Sequence, residues 1–147
     1  MKKKFFLILF FTTYLSYSQC ELSLDNLLEL LTVNSSEYET KVLVKNYDYD
    51  SESDAFFCLS NNNTFGISKR FKSGKYYGFL YFNDSKDSYL GIKKALIEMN
   101  FQFLKKTKIA GFEAYVYKAN NIYVSLYTET VNQKPNYNIL VQLDLLE

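Results

Sequence analysis

One succession of patterns runs twice through this chain, and few folds accommodate it. Over residues 36–45, Tyr38, Val42 and Leu43 fall on one side of a helix whose other side carries Glu37, Glu39 and Lys41. Three stretches of strand character follow at 55–60, 64–71 and 76–82, separated by Asn61-Asn62-Asn63 and by Lys72-Ser73-Gly74-Lys75, both of which are turn chemistry. The pattern then starts again. Residues 89–99 carry Tyr89, Ile92, Leu96 and Ile97 at helical spacing, and 113–118, 122–128 and 137–145 read as three more strands. Asn46-Tyr47-Asp48-Tyr49 aligns with Asn100-Phe101-Gln102-Phe103 directly after each helix, and the Asn run at 61–63 corresponds to Asn120-Asn121. The expectation is a tandem αβββ repeat, with repeat 1 over about 36–82 and repeat 2 over about 89–145.

Two such units most simply merge into one antiparallel sheet of roughly six strands with helices packed on one face, an α+β two-layer fold. A further helix precedes them over 23–32. Ser23 is placed to cap it, and Leu24, Leu27, Leu28 and Leu31 form its apolar stripe. Alternation assigns the sheet faces. Ile122, Val124 and Leu126 alternate with Tyr123, Ser125 and Tyr127, and Tyr137, Ile139, Val141 and Leu143 alternate with Asn138, Leu140 and Gln142. Aliphatic side chains point at the helices, so the other face is left open. The strand at 76–82 is apolar on both faces and asks for a second cover or a partner. This order of elements loosely resembles the tandem α-plus-sheet folds of beta-lactamase inhibitory proteins and TATA-binding proteins. No motif matches either family, so the resemblance stops at architecture.

Residues 1–18 read as an export signal. Lys2, Lys3 and Lys4 precede an apolar run at 5–11, and Ser16-Tyr17-Ser18 offers small residues where a signal peptidase reads them, with cleavage expected after Ser18. The mature chain, 19–147, is then a single exported domain, periplasmic or extracellular. No later segment approaches the ~20 apolar residues of a membrane-spanning helix. Losing three of the 17 basic residues leaves fewer than the 16 acidic ones, which withdraws electrostatic support from a nucleic-acid partner. Cys20 and Cys58 both survive cleavage, and an oxidising compartment makes a disulfide the default reading. Closing a loop of about 40 residues is worth roughly 4 kcal/mol in the chain-entropy model. The alternative makes Cys20 a lipidated N-terminal residue of an envelope lipoprotein, the one case in which membrane attachment is expected, although Gln19 is a poor residue before such a cysteine.

The chain has no histidine, which removes Ser-His and Cys-His nucleophiles and most zinc and haem sites together. It offers no glycine-rich phosphate loop or nucleophile elbow either, so no catalytic residue, cofactor or metal site is assigned and the chain is not read as an enzyme. Carboxylates alternate through Asp48-Tyr49-Asp50-Ser51-Glu52-Ser53-Asp54, but an EF-hand would need glycine at Ser53 and glutamate at Leu59. The corresponding stretch of the second unit, Leu104-Lys105-Lys106-Thr107-Lys108, is basic, and both are read as solvated linkers of opposite sign. The 14 tyrosines supply the candidate site. Tyr115, Tyr117, Tyr123 and Tyr127, taken as pointing outward, would bury large areas at low entropic cost while keeping a hydroxyl for a partner. The competing reading is cross-strand pairing that only stabilises the sheet. These features describe a small exported, non-catalytic binding module of inhibitor or immunity type, with a protein or another envelope component as partner. The alternative is a structural or assembly lipoprotein anchored through Cys20, associating through the strand at 76–82.

Overall fold

A computed structural model describes residues 20–33, 35–43, 45–72 and 74–144. The export signal at 1–18 and Asn34 lie outside them. The chain opens with two helices, α1 (Leu24–Thr32) and α2 (Ser35–Leu43), and continues through β1 (Asp48–Asp50), β2 (Ala55–Ser60), β3 (Asn63–Lys72) and β4 (Lys75–Asn83). A third helix, α3 (Lys86–Glu98), leads into β5 (Gln102–Ile109), β6 (Phe112–Ala119), β7 (Ile122–Val131) and β8 (Lys134–Leu143).

All eight strands belong to one sheet in the order β1-β2-β3-β4-β8-β7-β6-β5, and every neighbouring pair is antiparallel. Two four-strand meanders thus meet at β4 and β8, with β1 and β5 at opposite edges. The fold is α+β as expected, but the sheet has eight strands where six were read. Both additions are edge strands, β1 and β5, which occupy the two charged segments taken for linkers. A strand paired on one side only can carry a run of charges without burying them, so these strands lack the apolar alternation that marks a strand in sequence.

Local chemistry sets the element ends. Ser23 caps α1 through a capping box, accepting from the Asn26 N–H at 3.3 Å while its own N–H donates to Asn26 Oδ1 at 3.3 Å. Leu24, Leu27, Leu30 and Leu31 are buried, and Leu28 is only partly so. Asn46 and Asn100 leave their helices with φ 60°, a left-handed conformation that asparagine tolerates, and each is followed by a buried ring, Tyr47 or Phe101. The two-residue turns Asn61-Asn62, Ala110-Gly111 and Asn132-Gln133 have positive φ at both positions, the type I′ geometry that matches strand twist.

The core lies between one face of the sheet and the helices. Phe65, Ile67, Phe79, Tyr81, Leu126 and Ile139 meet the α1 leucines, Tyr38 of α2, and Ile92 and Leu96 of α3 there. The Tyr76 hydroxyl donates to the Leu30 carbonyl at 3.3 Å, so α1 covers one side of the doubly apolar β4. The segment before α1 is held in the core by three ties. Cys20 is disulfide-bonded to Cys58, the Tyr47 hydroxyl donates to the Cys20 carbonyl at 2.5 Å, and the Leu22 N–H donates to the Tyr81 hydroxyl at 3.2 Å. The disulfide occupies the sulfur that lipidation of Cys20 would require. No described helix is long and apolar enough to cross a membrane, which, with the disulfide, is compatible with an exported protein.

Candidate binding face

Among the described residues the second face of the sheet contributes no side chain to the helix-covered core, although Ala114, Val116, Ser125, Tyr127 and Asn138 on it are buried. Register builds it as rows running across the strands. Phe57, Gly66, Phe82, Asn138, Tyr127 and Ala114 form one row from β2 to β6. Ser68, Leu80, Leu140, Ser125, Val116 and Lys105 form the next, and Arg70, Gly78, Gln142, Tyr123, Lys118 and Gln102 a third.

Two glycines shape the middle of this surface. A Cβ at Gly66 would lie 2.2 Å from the Phe82 ring, so the ring rests on bare backbone and meets Phe57 edge-on at 5.5 Å. At Gly78 a Cβ would stand 2.2 Å from the Val141 carbonyl oxygen, so the close approach of β4 to β8 requires glycine. Two polar clusters nearby are partnered. Glu129 Oε1 accepts from Asn136 Nδ2 at 2.8 Å and from Asn138 Nδ2 at 3.1 Å, which satisfies an Asn138 side chain that is 1% exposed. Lys118 Nζ donates to the Tyr123 hydroxyl at 2.6 Å and stands 4.6 Å from that ring's centroid, while the hydroxyl donates to Asp144 Oδ2 at 3.2 Å. The Tyr123 hydrogen bond is the main reason the Lys118 ammonium is held above its ordinary pKa. Tyr127 is 7% exposed. Burial raises its phenol pKa, Glu129 adds to the rise, and the positive charge of Arg70 opposes it.

The four candidate tyrosines do not form one surface. Tyr123 and Tyr127 point from the uncovered face, whereas β6 pairs Tyr115 with Leu126 and Tyr117 with Val124, which turns both toward the helices. Tyr117 packs in the core with the Phe103 ring 5.7 Å away. Tyr115 donates to Glu113 Oε1 at 2.6 Å, with Lys106 Nζ and Lys93 Nζ at 4.9 and 5.7 Å from its ring centroid. The sequence Ala114-Tyr115-Val116-Tyr117 has the right period but carries no mark of its phase, and only pairing with β7 decides it. Leu140 lies on the outward side of its strand as its alternation with Ile139 and Val141 implied, whereas Phe57, Leu80 and Arg70 were not assigned to the open face. The one available signal was the apolar character of 76–82 on both sides.

Elsewhere the chemistry is spare. In the acidic segment the carboxylates are used locally: Asp50 accepts from the Glu52 N–H at 3.2 Å and the Ser53 hydroxyl at 2.5 Å, and Tyr49 donates to Asp54 Oδ1 at 2.9 Å. Among the described residues no group of three or more His, Cys, Asp or Glu converges on a point that could hold a metal ion. A cavity of about 380 Å³ lies on the helix side between α1 and α3, lined by Leu22, Asn26, Ser88 and Ile92 among others. Comparison with protein-family models, with curated proteins and with solved structures returns no match. The class that fold and site define is therefore a disulfide-bonded α+β domain with one antiparallel sheet, whose described helices lie on one face.

Proposed function

We propose that this is an exported, non-catalytic protein of inhibitor or immunity type that binds another protein through the uncovered face of its sheet. The observation that carries the reading is the composition of that face. Phe57, Phe82, Leu80 and Leu140 form a half-buried apolar strip, with Arg70, Tyr123 and Tyr127 beside it. Aromatic and arginine side chains around an apolar centre are what binding hot spots are made of. Eight strands spaced about 4.8 Å apart also give a width of roughly 34 Å, enough for a standard interface of about 800 Å² per partner. Tyr115, Tyr117 and the buried Tyr127 serve the sheet in this reading, and Tyr123 serves the partner.

A duplicated helix-plus-four-strand unit belongs to the same proposal. The palindromic strand order and the matched left-handed Asn46 and Asn100 exits support it. Doubling a half-sheet is a direct way to reach that width.

The test is affinity capture from secreted and envelope fractions of the source organism with three baits: the oxidised protein, the open-face variant Leu80→Asp/Leu140→Asp, and Phe103→Asp on the helix side. A partner retained by the first and third baits but lost by the second is the expected result. Equal retention by the open-face variant overturns the proposal.

A further inference from the structure

The two sheet edges carry opposite charge, and we infer that they are complementary docking edges through which copies of this chain add head to tail. The inference is independent of the reading above, because it uses the rims of the sheet and not its face.

The geometry follows from topology alone. Neighbouring strands in the order β1-β2-β3-β4-β8-β7-β6-β5 all alternate in direction, and their number is even, so β1 and β5 run in opposite directions. When a second copy is placed beside the first with its helices on the same side, its β1 therefore lies antiparallel to the first copy's β5. Each edge strand has a single neighbour within the sheet, which leaves one row of backbone groups on each to extend the ladder.

Charge then chooses among the ways edges can meet. On β5, Lys105 lies on the uncovered face and Lys106 and Lys108 on the helix face, by their pairing with Val116, Tyr115 and Glu113. On β1, Asp48 and Asp50 lie on the uncovered face opposite Phe57 and Ala55, and Tyr49, 53% exposed, lies on the helix face. A β5·β1 junction sets carboxylates against an ammonium on one face and lysines against the Tyr49 ring on the other. Symmetric junctions do the reverse. Pairing β5 with β5 sets lysine against lysine, and β1 with β1 sets aspartate against aspartate, both unfavourable. Lysines on an edge strand ordinarily deter pairing with neutral or basic strands; here the deterrent spares one occupant, the acidic edge of the next copy. Only three residues of β1 take part, so the contact is weak, with a dissociation constant on the order of 1 mM. A heterologous contact leaves one unpaired edge at each end of a pair, so association continues past the dimer, into a ring or an open chain.

The test is sedimentation equilibrium of the oxidised protein up to about 1 mM, at low and at high salt, with two charge-reversal variants, Lys105→Glu/Lys108→Glu and Asp48→Lys/Asp50→Lys. The expected result is a weight-average mass that climbs past the dimer with concentration and falls with salt. Each variant alone, bearing two edges of like charge, stays monomeric. Their equimolar mixture associates again, because both kinds of junction in it are complementary, and this recovery shows that the variants are folded. A wild type that is monomeric throughout, a mass that levels off at the dimer, or variants that associate singly as well as the wild type would each overturn the inference.

Discussion

The two four-strand meanders share an order of strands but are held by different means. In the first, α1 and α2 both lie over the sheet, and the buried Tyr38 ring stands about 6 Å from each of Phe56, Tyr76 and Phe79. Lys69 of β3 reaches Glu39 of α2 at 2.5 Å, and Lys41 joins α2 to Glu29 of α1. The disulfide and two buried hydroxyls bind the leading segment to this half. The second meander shares α1 over β8 and has α3 beside it, which sends Ile92 and Leu96 into the core but leaves Ile97, Phe103 and Leu104 exposed toward the β5 edge. Its order rests on long hairpins: β7 and β8 stay in register over ten residue pairs, from Ile122↔Leu143 to Val131↔Lys134. One topology can therefore be secured from above, by packing and cross-links, or from within, by ladders and turns.

The largest expected effect comes from cutting into the packed half. Phe79→Ala should cost about 3–5 kcal/mol, as for other buried aromatic truncations, whereas Phe103→Ala on the second half, 53% exposed, should cost less than about 1 kcal/mol. Urea denaturation of both variants checks the contrast, and equal losses would break it. Replacing both Cys20 and Cys58 by Ala comes next, at about 2–5 kcal/mol. Hydrogen exchange should then show protection lost over α1 and β2 well before β7 and β8; uniform loss would mean that the halves do not differ in how they are held.

Alkali should discriminate in the same direction. Burial pushes the Tyr81 phenol up to about 12 and raises Tyr38, Tyr47 and Tyr76 further still, and all four serve the first half. A phenol whose folded pKa exceeds its unfolded value of about 10 binds more protons when folded. Stability is therefore intact below pH ~10 and falls as the pH rises toward the folded value, at about 1.4 kcal/mol per pH unit for each such group. Tyrosinate absorbance should show a set of rings that ionise only as the protein unfolds. Tyr81→Phe, which leaves the buried Leu22 N–H without its acceptor, should cost about 1–3 kcal/mol in thermal melts at neutral pH.

What was legible in the sequence follows the same division. The cap at Ser23, the bounds of β2 and the Cys20–Cys58 pairing could be read, because each rests on short-range chemistry or on there being two cysteines to pair. The edge strands could not, since Asp48–Asp50 and the lysines of β5 sit where water, not a core, sets the residue type. The candidate site was half legible. Tyr123 and Tyr127 alternate with clear aliphatics along β7, but Tyr115 and Tyr117 alternate with Ala114 and Val116, and nothing local says which pair faces the helices. Phe57 is hidden for a similar reason: Ala55-Phe56-Phe57-Cys58 is apolar in both phases, so its outward ring emerges only from pairing with Gly66 beneath Phe82.

The smallest expected effect sharpens the comparison from the side of the second half. Its outer hairpin turns through Ala110 at φ 51° and Gly111 at φ 89°, and alanine, unlike the asparagines at the β2–β3 turn, has no side-chain hydrogen bond to offset left-handed backbone. Ala110→Gly removes the Cβ conflict while giving the unfolded chain more freedom. The relief, about 1–2 kcal/mol, exceeds the entropic cost of about 0.5–1 kcal/mol, so a net stabilisation of about 0.5 kcal/mol is expected. Asn61→Gly, at the same turn position and φ 51°, is the matched control in the first half and should be neutral within a few tenths of a kcal/mol, because asparagine already accepts the conformation. If thermal melts show Ala110→Gly to be neutral as well, the β5–β6 turn carries no strain to release, and the ladder-held half owes its order to its strands alone.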